Sequence, residues 1–163
     1  MPRFGIGWIS LVLACFSWGC AVSTDAPTTV PPQALPVHYQ KTMCFGPCPA
    51  FTFAVDLSGR AELEVLRPLR EAPLDALAPG HYAAQLQDVH AWNARVHEAL
   101  ESVHYAQLDS VYDNPRVTDL PATITICNGK SVTNRYNGPD LTTLYAALDE
   151  AMAALKWHPI ETK

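Results

Sequence analysis

Basic residues are few and scattered. The 11 lysines and arginines form no cluster, and the formal net charge is −5 at pH 7. Such a surface repels phosphate backbones, which argues against nucleic acid as a partner. The glycine-rich phosphate loop, the dinucleotide fingerprint and the strand–Ser–helix nucleophile elbow are all missing, so no reaction class can be read from a motif. Internal repeats are missing too, which leaves out solenoids and propellers. Charged residues make up only 17% of the chain and hydrophobic ones 48%, the balance of a protein with a real core. At 163 residues, one domain is expected and rarely two.

An ordinary membrane-spanning stretch is lacking as well. After Met1-Pro2-Arg3 the chain carries no charge from Phe4 to Cys20, but a bilayer needs about 20 apolar residues in a row. A basic start followed by a short apolar run is the pattern of an export signal. This one resembles bacterial lipoprotein signals, in which a small residue precedes a cysteine that is acylated and becomes the new N-terminus. Gly19-Cys20 gives a signal of ordinary length, with Ser17 and Trp18 departing from the usual pattern; Val12-Leu13-Ala14-Cys15 fits better but leaves a very short one. The expectation is a signal over residues 1–20 with Cys20 as the lipidation site and Cys15 as its alternative. The chain is then exported and held by its acyl chains in the cell envelope, facing the periplasm or on the outer membrane. Ala21 favours the latter, since an aspartate there would hold the protein at the inner membrane in some bacteria.

Residues 21–36 carry Pro27, Pro31, Pro32 and Pro36 with one charge and almost no large apolar residue. A segment like this cannot bury enough surface to fold and extends as a semi-rigid spacer. The folded domain is expected over residues 37–160. Phe51, Phe53, Val55 and Leu57 alternate, as do Ala61, Leu63 and Val65, with Ser58-Gly59 as a turn between them; period two marks half-buried strands, here an antiparallel hairpin. Residues 67–79 hold three prolines and read as a loop. A third strand fits Tyr82, Ala84 and Leu86. Asp88 can cap a helix whose stripe is Val89, Trp92, Val96, Leu100 and Val103. Asn128-Gly129 between "TITIC" and "SVTNRY" is a strong hairpin signal, both residues tolerating positive φ. Leu141, Leu144, Leu148, Met152 and Leu155 form the stripe of a second helix. The order β-β-β-α-β-β-α implies an α+β fold: a small antiparallel sheet of about five strands with both helices on one face.

The unusual motif is Cys44-Phe45-Gly46-Pro47-Cys48-Pro49. Three readings compete. Cys44 and Cys48 can close a disulfide across a tight turn, because glycine and two prolines forbid a helix and let the chain fold back. They can instead form a thiol redox or copper-handling site, as in thioredoxin-fold proteins, although the alternating residues after Pro49 put a strand where those families have a helix. Or one of them pairs with Cys127, which otherwise stays free as a small buried hydrophobe. His90, His97 and His104 recur at heptad spacing, too far apart on a helix to share one metal ion. His97 and Glu101 have ligand spacing without a third partner. Asp109, Asp113, Asn114 and Asp119 break the calcium-loop pattern and suit turns and caps.

The stretch "CFGPCPAFTFAVDLSGRAEL", with "GHYAAQL", Asp119-Leu120-Pro121-Ala122-Thr123 and "NGPDLTTLYAALDEAMAAL" after it, resembles the bacterial domain-of-unknown-function family 6438. The likeness spans about residues 37–157. It implies an exported or lipid-anchored setting and a motif of Cys44, Gly46, Cys48 and Pro49, with no established activity. No catalytic, cofactor-binding or metal-ligating residue is assigned. The leading expectation is an envelope domain that binds or supports, anchored to a membrane and meeting an envelope protein or a small ligand. The rival is redox or copper chemistry at Cys44 and Cys48.

Overall fold

A computed structural model describes residues 32–70 and 73–161. The signal, Cys15, Cys20 and most of the proline-rich spacer lie outside the described residues. Residues with alternating burial build most of the strands: β1 (Val37–Lys41), β2 (Ala50–Val55), β3 (Arg60–Arg67), β4 (Gly80–Gln85), β5 (Val111–Tyr112), β6 (Thr123–Cys127), β7 (Lys130–Asn134) and β8 (His158–Pro159). Helix α1 spans Val89–Ser102 and α2 spans Thr142–Ala153. The strands form one sheet in the order β5-β7-β6-β1-β2-β3-β4-β8. Every pairing is antiparallel except β5 with β7, which is parallel.

The sheet has eight strands among the described residues, not about five. Strand β1 was hidden by its length, five residues against a run of prolines. Strands β5 and β8 are two residues each, too short to show a period, and exist only through their neighbours. Both cover sheet edges, where an unpaired ladder would otherwise template association; Pro159 suits an edge because it has no N–H to donate.

Expected strands and caps appear in detail. Asn128 and Gly129 take φ of 50° and 78°, and Thr123–Cys127 pairs antiparallel with Lys130–Asn134. The Asp88 carboxylate accepts a hydrogen bond from the Ala91 amide at 2.9 Å, satisfying an orphan donor of α1. Leu57, in contrast, leaves the pattern of Phe51, Phe53 and Val55 and is exposed. The chain turns one residue earlier, because Asp56 Oδ1 accepts from the amides of Ser58 and Arg60 at 2.8 and 3.1 Å. Helix α2 ends at Ala153, so Leu155 and Trp157 pack from the segment beyond it.

One face of the sheet carries the core. Tyr39, Phe51, Phe53, Leu63, Val65 and Val132 are almost fully buried, and both helices lie on them. Phe53 meets Trp92 of α1 edge-on at 6.2 Å between ring centroids, while Tyr39 stacks on Tyr145 of α2 at 5.9 Å. Folding begins before β1: Ala34 is buried, its amide donates to Leu57 O at 3.0 Å, and Trp92 Nε1 donates to Leu35 O at 2.9 Å. The last residues of the spacer are thus part of the domain.

Candidate functional site

The chain leaves β1 at Lys41 and must return as β2 from Ala50. Thr42 ties down the departure, exchanging hydrogen bonds with the backbone of Ala122 at 2.8 and 2.9 Å. Cys44 and Cys48 then close a disulfide with Cα atoms 5.9 Å apart. Two arginines hold the loop from outside: Arg67 donates to the carbonyls of Cys44 and Gly46, and Arg70 to that of Pro47. The register of β2 on β3 shifts between Ala50 and Phe51, an irregularity of the kind that re-aims a neighbouring side chain. It lies where Arg67 turns toward the loop.

This loop puts its apolar side chains outward. Phe45 is 98% exposed and Met43 58%. Gly46 answers no steric demand of the domain, since a Cβ there would meet only Cys44 Sγ at 3.7 Å. Among the residues expected at the site, the structure brings Cys44, Gly46, Cys48 and Pro49 together and leaves Cys127 apart. Cys127 pairs with Val37 at the opposite end of β1 from the loop, so the reading that joins it to Cys44 or Cys48 is corrected. It is free and 1% exposed. Burial pushes its thiol up to about 12, only partly opposed by a hydrogen bond with Tyr105. The thiolate is the reactive species, so in native protein no thiol among Cys44, Cys48 and Cys127 will react with a disulfide-exchange dye at pH 8. One will react after unfolding without reductant, and three after reduction.

Other candidates have local roles. His90 and His97 are exposed on α1, and His104 follows it with φ of 49°. Asp113 Oδ2 lies 3.4 Å from Arg135 Nη1, and Asn114 Oδ1 accepts from the Arg116 amide. Among the described residues no group of three or more His, Cys, Asp or Glu could hold a metal ion, and no helix is long and apolar enough to cross a membrane.

Beside the loop lies something the residue pattern did not announce. Lys41 follows Val37 and Tyr39 on the core-facing side of β1, where alternation calls for an apolar residue. Its Nζ sits 3.1 Å from Asp149 Oδ2 of α2 and 5.3 and 5.5 Å from the ring centres of Tyr39 and Phe51. A cavity of about 150 Å³ opens there over Phe51, Leu69, Leu74 and Met152, with Lys41, Arg70 and Asp149 at its rim. The stretch expected as a plain loop contributes to its wall: Arg67 ends β3, and Leu69 and Leu74 beyond it are buried against the cavity.

Residues 36–152 match the family described as a domain of unknown function, DUF6438. The chain belongs to the DUF6438 family. The matched span takes in all of β1 to β7, α1 and nearly all of α2, together with the disulfide loop, both clamping arginines and the Lys41–Asp149 pair. No curated protein and no solved structure matches the chain. DUF6438 membership therefore brings a domain of unknown function, and the chemistry must come from the corner itself.

Proposed function

We propose that this is an envelope lipoprotein whose domain acts by binding another protein through the tip of its disulfide loop. Acylated Cys20 anchors it, and the proline-rich spacer ahead of the packed Ala34 forms the tether. The observation that carries the reading is Phe45, 98% exposed on a loop held by a disulfide and two arginines. An aromatic side chain presented on backbone already ordered loses little entropy on association, which is how binding hot spots are built.

Position adds to this. Val37 pairs with Val55 and Cys127, whereas Lys41 pairs with Phe51 and Thr123. The chain thus enters at one end of the sheet and the loop leaves at the other, about 13 Å further along β1 at 3.3 Å per residue. Phe45 therefore lies at the end of the sheet opposite the one where the chain enters the domain. Arg67 and Arg70 border the tip on a chain of net charge −5, so the partner surface is an apolar socket rimmed by carboxylates.

Redox or copper chemistry at Cys44 and Cys48 is the second reading, supported by the partial exposure of both residues. Against it, β2 starts at Ala50, so no helix N-terminus lies beside either thiol to lower its pKa. A photo-crosslinking amino acid at position 45 in intact cells tests the binding reading. One discrete protein adduct is expected at position 45 and none at position 97 on α1, with the adduct lost when Gly46→Ala blocks close approach. No adduct at 45, or the same adducts at both positions, would remove the proposal.

A further inference from the structure

We propose that the sheet face left uncovered by the helices is the contact through which two copies of this chain pair, with the two-fold axis running along β2. The inference is independent of the Phe45 tip, which lies at one end of the sheet and not on its face.

Both helices pack on the core-facing side, and an antiparallel sheet whose other face meets only water carries polar residues there. Strand β6 departs from that rule. Ile124 and Ile126 alternate with the buried Thr125 and Cys127, and neither isoleucine belongs to the core or packs against it. Ile126 is 38% exposed, as is Ile160, which borders the same open face beside Thr52 and Ala54. Water alone gives no reason for isoleucines at these places; a second apolar surface does.

The strand register shows what this face fits. Across the strands one row runs Ile126, His38, Ala54, Glu62 and Ala83. In the neighbouring row Gln40, Thr52 and Glu64 take the three middle places. Carboxylates thus stand on one side of β2, an imidazole and an amide on the other. A two-fold along β2 lays β1 of one copy over β3 of its partner, and every such contact occurs twice. His38 then faces Glu62, Gln40 faces Glu64, and Ile126 faces Ala83. The nitrogen groups donate and the carboxylates accept. Arg60 lies 3.0 Å from Glu62 and His81 3.8 Å from Glu64 within the chain, and each carboxylate has lone pairs left for the partner. Ala54 and Thr52 meet their own copies on the axis, where small side chains let two sheets approach. A two-fold across the strands instead stacks β3 on β3 and sets Glu62 against Glu64, which like-charge repulsion disfavours.

Size is sufficient when most of the face is used. Eight strands about 4.8 Å apart, with about five residues in the longer ones, span roughly 34 by 16 Å in plan. With side-chain relief this approaches the about 800 Å² that each partner buries in a standard interface. The same axis leaves Val37 of both copies at one end and both disulfide loops at the other, so both tips stay open.

The test uses the processed full chain in density-matched detergent. Sedimentation equilibrium is expected to show a monomer–dimer equilibrium with a dissociation constant of about 10 μM, within the range open to an interface of this size. His38→Glu is expected to weaken association at least about tenfold, and Glu62→His in the same chain to restore it. A short bismaleimide is expected to join Ile126→Cys chains to Ala83→Cys chains when the two are mixed. Neither variant alone will be joined, because the axis sets like positions four strands, about 19 Å, apart. The wild-type sedimentation decides the matter even if a variant proves unstable. A monomer at every concentration up to about 100 μM would overturn the proposal, whether the face is bare or covered by the chain's own spacer. Dimers indifferent to His38→Glu, or Ile126→Cys joined to itself, would overturn it as well.

Discussion

Phe53→Ala will lower the melting temperature of the domain by about 15 °C, at a cost of about 3–5 kcal/mol. Phe53 lies at the middle of β2, is 0% exposed, and has β1 on one side and β3 on the other. Its ring meets the edges of Trp92 and Trp157 at 6.2 and 6.0 Å. Removing it deletes the contact that joins the sheet both to α1 and to the segment after α2. The cavity left behind cannot collapse easily, because its walls are strands in fixed register and two rigid indoles. Thermal denaturation followed by circular dichroism reads the effect. A change below about 1 kcal/mol, the scale of a surface substitution, would mean that the core is not organised around this ring.

On the lipoprotein reading proposed above, Cys20→Ser will abolish membrane attachment, an all-or-none effect. Each buried methylene of an acyl chain contributes about 0.8 kcal/mol, so two chains on one residue hold a protein firmly where a single short chain does not. Nothing in the described domain replaces them: no helix there is long and apolar enough to cross a membrane. Metabolic labelling with an alkyne fatty acid is expected to mark the wild-type chain and Cys15→Ser, and to miss Cys20→Ser. Label lost in Cys15→Ser instead would move the anchor five residues upstream. An unlabelled wild-type chain would leave the tether without a membrane to hold it.

How much of this domain is legible in its sequence depends on how local each cause is. The β2–β3 hairpin, the Asn128-Gly129 turn, the Asp88 cap and both helical stripes are written in neighbouring residues. Strand β1 is not, because its Val37-Tyr39 alternation covers five residues and is justified only by β6 and β2 arriving on either side of it. The pattern of β6 even runs against hydrophobicity. Thr125 and Cys127 face the core while Ile124 and Ile126 face outward, because the Tyr105 hydroxyl enters the core and sits 2.9 Å from both Thr125 O and Thr125 Oγ1. At the site, Cys44, Gly46, Cys48 and Pro49 are recognisable as a motif. Arg67 and Arg70 look like ordinary residues of a proline-broken stretch until the register of β3 places them against the loop carbonyls. Lys41 and Asp149 are 108 residues apart, and only the packing of α2 on β1 makes them a pair.

In the lipoprotein reading proposed above, sulfur chemistry outside the cytoplasm underlies both the anchor and the clasped tip. Intact-mass and peptide-mapping spectrometry of the protein purified from membranes, without reductant, reads both at once. The expected species begins at an acylated Cys20, contains a Cys44–Cys48 linked peptide, and carries Cys127 as a free thiol. A chain that still begins at Met1, unacylated and with Cys44 and Cys48 reduced, would contradict it.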